Sequence, residues 1–244
     1  MILLIPMGSK SEFFQHKEYK FPKPLVEISG KTMIHHVIDN LTSNCKFKKI
    51  IFIVMEDDCK NFHLDNTLEL LCPFKPEIIQ VKRETKGALC SVLLAIKHLT
   101  VDEPLIIANS DQLFDNGIHI QIDEFLKSDY DSGCITINSV HPRWSYIRYD
   151  TDMNVVEAAE KMPISKKAVA GVYMYKNSAE FIKFGMNNIR NGASVGDIYY
   201  ISLVFNEYII NRKKVGFFQY PDDKFHTFYS PEKIKEYEEL ILKK

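Results

Sequence analysis

Four short stretches carry the residue types that phosphate chemistry uses. The apolar run Ile106-Ile107-Ala108 breaks abruptly into Asn109-Ser110-Asp111-Gln112. A buried strand ending in an acid would deliver Asp111 to the carboxyl edge of a sheet, where ligands gather in open α/β folds. A carboxylate there suits a hard divalent cation that keeps waters for phosphate, although Asp111 could equally cap a following helix or make a turn. Near the start, an apolar stretch runs into Pro6-Met7-Gly8-Ser9, and a backbone of this kind can turn N–H groups toward a phosphate. Lys23 stands between Pro22 and Pro24. Both prolines fix their own φ, and Pro24 pushes Lys23 toward extended backbone, a stiff mount for an ammonium. An exposed loop lysine would read the same way. Lys86 precedes Gly87 at a predicted helix start, where the helix dipole disfavours a cation. It is a candidate for a carbonyl or phosphate contact, or a solvent-facing lysine.

The apolar periodicity supplies elements to hold these residues. Residues 1–6, 49–55 and 77–82 predict buried strands, and Pro104 opens a fourth. Between them, Thr32 starts a helix with Met33, Ile34, Val37, Ile38 and Leu41 on one face. A second helix runs from Asp57 to about residue 71, and a third follows Gly87 through Val92, Leu93 and Ile96. This alternation predicts a parallel sheet with right-handed crossovers. From about residue 130 the rhythm changes. Residues 133–140, 145–150, 153–159 and 168–175 read as strands of a mixed extension, 178–190 and 198–211 as helices, 214–219 as a last strand and 231–243 as a charged terminal helix. There is no repeat and no Gly/Ser-rich linker, so a single domain over 1–244 is expected.

Bulk properties narrow the function classes. Over 244 residues, 45% hydrophobic and 26% charged content is that of an ordinary soluble globule. A net charge of −1 gives no general pull toward nucleic acid or membrane, and neither partner is expected. The five cysteines form no C-x-x-C or zinc-type spacing, which predicts reduced thiols and a cytoplasmic setting. The opening Met-Ile-Leu-Leu-Ile-Pro is too short for a signal peptide, and no apolar run reaches the ~18 residues of a membrane span. The histidines are scattered; His35 and His36 are adjacent on a helix, where neighbouring positions do not face one another. No Ser/His constellation indicates nucleophilic catalysis.

Several pieces, in order, resemble the sugar-phosphate nucleotidyltransferases. They are Ile5-Pro6-Met7-Gly8, Tyr19-Lys20-Phe21-Pro22-Lys23-Pro24-Leu25, Gly30-Lys31-Thr32-Met33-Ile34, Thr85-Lys86-Gly87-Ala88, Asn109 to Gln112, Glu160-Lys161, Ala170-Gly171-Val172-Tyr173 and Gly196-Asp197. The resemblance implies a three-layer α/β/α Rossmann-like fold with a mixed central sheet, shared with GT-A glycosyltransferases. It implies residues 1–128 as the nucleotide-binding half and 129–244 as the acceptor-binding half. The reaction would join a nucleoside triphosphate to a phosphorylated small-molecule acceptor and release pyrophosphate. The Met7–Phe14 loop would wrap the triphosphate, and the nucleotide set would be Pro6, Met7, Gly8, Ser9, Lys23, Lys86, Gly87, Asn109 and Ser110. Lys23, Asp111 and Lys161 would be catalytic, with Asp111 and Asp197 holding Mg²⁺. Glu160, Lys161, Gly171 and Trp144 would meet the acceptor; Trp144 could instead be a core or edge-strand aromatic. A phosphate nucleophile is already ionised, so positioning and electrostatics would carry the rate.

The sequence also departs from that pattern. Glycine-rich loops of the family carry a following arginine, whereas here the chain reads Gly8-Ser9-Lys10-Ser11-Glu12-Phe13. Glu12 would point outward, pair with Lys10 or Lys17, touch the acceptor or a metal, or mark lost activity. The variant opening and His141-Pro142-Arg143-Trp144-Ser145-Tyr146 are similar to bacterial capsule-locus members. That similarity implies CTP as the favoured nucleotide, an amino-acid phosphate such as L-glutamine phosphate as acceptor, and admits a homodimer. A sugar-1-phosphate nucleotidyltransferase using another triphosphate, a GT-A glycosyltransferase and an inactive nucleotide-binding relative are the alternatives. The GT-A class normally has Asp-x-Asp, where this chain has Asn109-Ser110-Asp111.

Overall fold

A computed structural model describes residues 1–9, 12–14, 19–99 and 102–243. Strand β1 (Ile2–Met7) is followed by the short ribbon β2 (Glu27–Ile28) and β3 (Lys31–Thr32), then α1 (Met33–Thr42), β4 (Lys49–Met55), α2 (Glu56–Phe62), α3 (Leu64–Leu71), β5 (Glu77–Val81), α4 (Ala88–Leu93) and β6 (Leu105–Ala108). Strands β6, β1, β4 and β5 lie side by side and parallel. The remainder supplies β7 (Gln112–Phe114), α5 (His119–Lys127), β8 (Ser132–Asn138), β9 (Ser145–Tyr149), β10 (Val155–Glu160), β11 (Lys167–Tyr175), α6 (Ser178–Arg190), α7 (Val204–Ile210), β12 (Val215–Gln219), β13 (Phe225–Thr227) and α8 (Pro231–Leu242). Among the described residues nine strands form one mixed sheet, to which both parts of the chain contribute.

Period-two burial on both faces makes the sheet the middle layer. Leu3, Ile5, Phe52 and Val54 face one core with Val37, Leu41, Leu68 and Phe125, whereas Ile2, Leu4, Ile51 and Ile53 face the other with Leu89, Val92, Phe181 and Phe205. Each such side chain contributes about 1.5–3 kcal/mol by leaving water. The α/β/α expectation holds.

Several local expectations are corrected. The helix expected over 57–71 is two helices, separated by His63 in left-handed backbone at φ 53°. The break re-phases the helix, so that Cys59, Leu64 and Leu68 are all buried. The helix expected over 198–211 is only Val204–Ile210, because the backbone of Tyr199 is bonded elsewhere: its N–H donates to Lys86 O at 2.8 Å and its carbonyl accepts from Leu89 N–H at 3.2 Å. Helix α4 ends at Leu93, and Ile96–His98 form a separate 3₁₀ turn. Lys23 is not extended. It opens a 3₁₀ turn held by Leu25 N–H to Pro22 O and Val26 N–H to Lys23 O, with Pro24 buried, and these outweigh the preference imposed by the following proline. Strands β7 and β13 and helix α5 had no counterpart in the sequence reading.

One feature of the sheet shapes the site. Strand β11 has β8 along one edge; its other edge meets β9 at Ala168 and then β6 from Val172 onward. Between them lies Gly171 at φ 66°, and the sheet opens there.

Candidate active site

A cleft of about 590 Å³ opens at the carboxyl ends of β1 and β6, a size typical of ligand sites. Pro6, Met7, Gly8 and Ser9 form one wall, Glu84, Thr85, Gly87, Ala88 and Ser91 a second, and Asn109, Ser110 and Asp111 the floor, with Lys23 and Pro24 beside them. Phe13, Ile198, Tyr200 and Tyr229 complete the lining. Gly8 sits against Val81, Ile53 and Ser91, so the β1 end runs close to the base of α4. Lys10, Ser11, Lys17 and the Glu12 side chain lie outside the described residues, and so does that part of the expected Met7–Phe14 wrap.

Lys23 and Asp111 meet at the centre. Lys23 Nζ donates to Asp111 Oδ2 at 2.5 Å, with side-chain exposures of 19% and 18%. The Lys23 ammonium also lies 5.6 Å from the Phe14 ring centroid. Asp111 caps no helix. It occupies a turn between β6 and β7, and its carbonyl accepts from Phe228 N–H at 2.8 Å. An ammonium and a carboxylate at the rim of a sheet can separate to meet an anion and a cation.

The other expected residues divide into groups. Gly171 adjoins the floor: its carbonyl accepts from Asn109 N–H at 2.9 Å, and a β-carbon on it would fall within 2.5 Å of Asn109 Nδ2. Gly87 lines the cleft and is also closely packed from behind. At φ 112°, the space of its missing side chain is filled by the backbone of Tyr199, so it docks the 195–200 segment, which carries Ile198 and Tyr200 into the cleft. Lys86 is exposed and faces an adjoining surface hollow instead of the cleft. Trp144, in the bend just before β9, is partly buried against the core with its ring 5.9 Å from that of Phe225, and it does not line the cleft.

Glu160 and Lys161 sit behind the cleft. Glu160 is buried and its Oε1 accepts from both Ser145 Oγ and Ser202 Oγ. Burial pushes its carboxyl above the usual carboxylate range, while the two serine hydroxyls and Lys161 pull the other way. Lys161, at φ 56°, is exposed and holds its ammonium 5.8 Å from the Tyr200 ring centroid, toward the cleft side. Asp197 is exposed in the Val195–Ile198 turn and does not line the cleft. Among the described residues no group of three or more His, Cys, Asp or Glu gathers for a metal. Asp111 nevertheless fits magnesium chemistry, since Mg²⁺ usually takes one or two carboxylates and completes its shell with phosphate and water.

Sequence reading passed over Glu84, Ser91, Ile198 and Tyr229. Tyr229 had no signal to find: it follows β13, whose Thr227 pairs with Gln112 across the sequence.

The sequence profile of the family described as "Nucleotidyl transferase" matches residues 19–201. The chain belongs to the nucleotidyl transferase family. The match begins just before Lys23 and reaches past Tyr200, so it takes in Asp111, Glu160 and Asp197. A curated relative, the bifunctional protein GlmU of Methanocaldococcus jannaschii, is 26% identical over 186 residues, covering 72% of this chain. The chain spans 40% of that relative's length. Among solved structures, a nucleoside-diphosphate-sugar pyrophosphorylase from Vibrio cholerae superposes with a TM-score of 0.82 at 19% identity, covering 98% of this chain and all of that one. An inositol-1-phosphate CTP transferase from T. maritima gives 0.79 at 12% identity, covering 99% and 95%. These likenesses place the nucleotidyl transferase fold over nearly the whole chain. No helix among the described residues is long and apolar enough to cross a membrane.

Proposed function

We propose that the protein is a Mg²⁺-dependent nucleotidyltransferase that transfers a nucleotidyl group to a phosphorylated small molecule and releases pyrophosphate. CTP is the favoured donor. The observation that carries this reading is the Lys23–Asp111 pair at the carboxyl edge of the sheet, facing the Pro6–Ser9 backbone.

An acceptor phosphate oxygen attacks the α-phosphorus, and the bond to the bridging oxygen breaks as pyrophosphate leaves with the electron pair. Lys23 exchanges its carboxylate partner for phosphate oxygens and offsets the negative charge gathering there. Asp111, released from Lys23, is the carboxylate that would hold the metal, which when bound supplies countercharge to the phosphates. Thr85 Oγ1 donates to Gly87 O at 2.9 Å and shares a 2.7 Å hydrogen bond with Ser91 Oγ, which sets a polar wall for a base beside Gly87 and Ala88. Lys161 reaches the acceptor phosphate from the Tyr200 side. Glu160 holds the Ser145 and Ser202 hydroxyls behind it, and Gly171 leaves room for the acceptor. Asp197 joins the metal only if the 195–200 segment moves inward on binding.

The acceptor we favour is L-glutamine phosphate, giving CDP-L-glutamine for capsule precursor synthesis. The support is the resemblance of the opening loop and of His141–Tyr146 to capsule-locus cytidylyltransferases. One assay decides. The protein is incubated with Mg²⁺, each of the four nucleoside triphosphates, and a panel of phosphorylated sugars, polyols and amino acids, and pyrophosphate is measured. Release that needs CTP and L-glutamine phosphate together supports the reading. Release with a sugar-1-phosphate and another triphosphate replaces its specificity, and sugar transfer from a sugar nucleotide replaces its class.

A further inference from the structure

Among the described residues Arg143 meets two aromatic rings and no carboxylate. Its guanidinium carbon lies 2.9 Å from the Tyr229 ring centroid and 5.4 Å from that of Trp144. Among the described residues no hydrogen bond or ion pair engages the guanidinium, although the chain has 32 acidic residues. Stacking on a ring face leaves the N–H donors around the edge of the guanidinium directed outward, in the fork that matches paired oxygens.

The ring beneath it belongs to the cleft. Tyr229 is on the cleft wall, next to the Phe228 N–H that donates to Asp111 O. Phe13, on the same wall, sets its ring edge-on to Tyr229 at 6.0 Å. The mount is firm. Tyr146 Oη donates to His141 O at 2.6 Å, and Arg143 N–H donates to His141 Nδ1 at 3.3 Å. Lys161 N–H donates to Trp144 O at 3.0 Å, which ties this turn to the strand end behind Tyr200. A half-buried cation held on an aromatic platform, with no carboxylate among the described residues bonded to it, is arranged to receive an anion from outside the chain.

We propose that Arg143 is an oxyanion clamp at the rim of the cleft, taking a pair of oxygens from a bound substrate. The oxygens belong either to the diphosphate end of the nucleotide or to an acid group on the acceptor. The proposal rests on the nucleotidyltransferase reading for its ligands.

Calorimetric titration tests it, with Mg²⁺-pyrophosphate and L-glutamine phosphate as separate probes, on wild type, Arg143→Gln, Arg143→Lys and Tyr229→Leu. Loss of a charged hydrogen-bond pair is expected to weaken one probe ~10–100-fold in Arg143→Gln. Arg143→Lys should recover little of it, because an ammonium has no fork, and Tyr229→Leu should weaken the same probe. Pyrophosphate weakened places the clamp on the nucleotide; L-glutamine phosphate weakened places it on the acceptor. Steady-state kinetics should show the same substrate's KM rising with kcat less affected. Unchanged affinity for both probes in an Arg143→Gln protein that unfolds at the wild-type temperature overturns the clamp. If Arg143→Gln does not fold, unchanged affinity in Tyr229→Leu does so. Wild type that releases no pyrophosphate with any substrate pair sinks the nucleotidyltransferase reading instead, and the pyrophosphate titration still decides Arg143.

Discussion

The backbone of Tyr199 occupies the space into which a β-carbon on Gly87 would project. Two hydrogen bonds, Tyr199 N–H to Lys86 O and Leu89 N–H to Tyr199 O, fasten the contact. It joins the start of α4 to the segment that puts Ile198 and Tyr200 in the cleft. Gly87 also has φ 112°, a backbone region that side chains resist. Gly87→Ala should therefore cost about 1–3 kcal/mol of stability from backbone strain alone. Displacing the 195–200 segment should also raise the KM for the nucleoside triphosphate. Thermal unfolding and initial rates check both, and a wild-type KM would refute the link between this contact and the nucleotide site.

The Lys23–Asp111 pair predicts a split between stability and activity. The two groups are about four-fifths buried, and single replacements leave one charge facing a wet cleft. Lys23→Met and Asp111→Asn should each lower unfolding free energy by about 1–3 kcal/mol, between the values for exposed and fully buried ion pairs. Each should lower kcat about 10²–10³-fold, the usual effect of removing one preorganised charge from a phosphoryl-type centre. Asp111→Asn should also weaken activation by Mg²⁺ more than Lys23→Met does. Full activity in either variant would remove the pair from the mechanism.

Glu160 predicts a pH effect with a definite sign. Its carboxyl is raised by burial, so the folded chain binds this proton more tightly than the unfolded chain does. Stability from this group is greatest below the ordinary glutamate range and falls as pH rises through that range up to the raised folded value. Glu160→Gln keeps an oxygen for Ser145 and Ser202 but cannot ionise. The stability of Glu160→Gln relative to wild type should therefore improve with rising pH across that window. Denaturant unfolding at a series of pH values measures it, and a pH-independent difference would contradict the burial argument.

Gly171 predicts a defect in the floor. A β-carbon there would fall 2.1 Å from Gln112 Oε1 and 2.5 Å from Asn109 Nδ2, at a residue with φ 66°. Gln112 is buried and its Oε1 has no hydrogen-bond partner among the described residues, so it has little room to retreat. Gly171→Ala should cost about 1–3 kcal/mol through strain, and the shift of Asn109 should lower kcat/KM for the acceptor at saturating nucleotide. Unfolding and acceptor kinetics would show otherwise if the floor adapts.

Much of the site was legible because its residues sit at strand ends. Pro6 to Ser9 and Asn109 to Asp111 each end or follow an apolar run, and the run itself says where the chain reaches the sheet edge. Lys23 was found through its prolines, though they hold it in a 3₁₀ turn and not an extended segment. Trp144 and Lys86 do not line the cleft, for a common reason. Their residue types fit a ligand contact, but packing against Phe225 and exposure at a helix start are decided by neighbours distant in the chain. Asp197 lies outside the cleft in the turn closed by Val195 and Ile198, and the Tyr199 bonds to Lys86 and Leu89 that anchor the next residues are announced by no local pattern.

By itself the sequence determined the alternating strands and helices of the first half and the acid just past the end of β6, while the three layers were implied by the family resemblance. The first two follow from periodicity and turn chemistry, which act over a few residues. Only the tertiary structure decided that Lys23 and Asp111, 88 residues apart, meet at 2.5 Å. It also decided that β11 splits its partners at Gly171 and that Arg143 rests on Tyr229. Such pairings arise when distant segments share a sheet edge, and their energy lies in contacts that no local stretch of the chain contains.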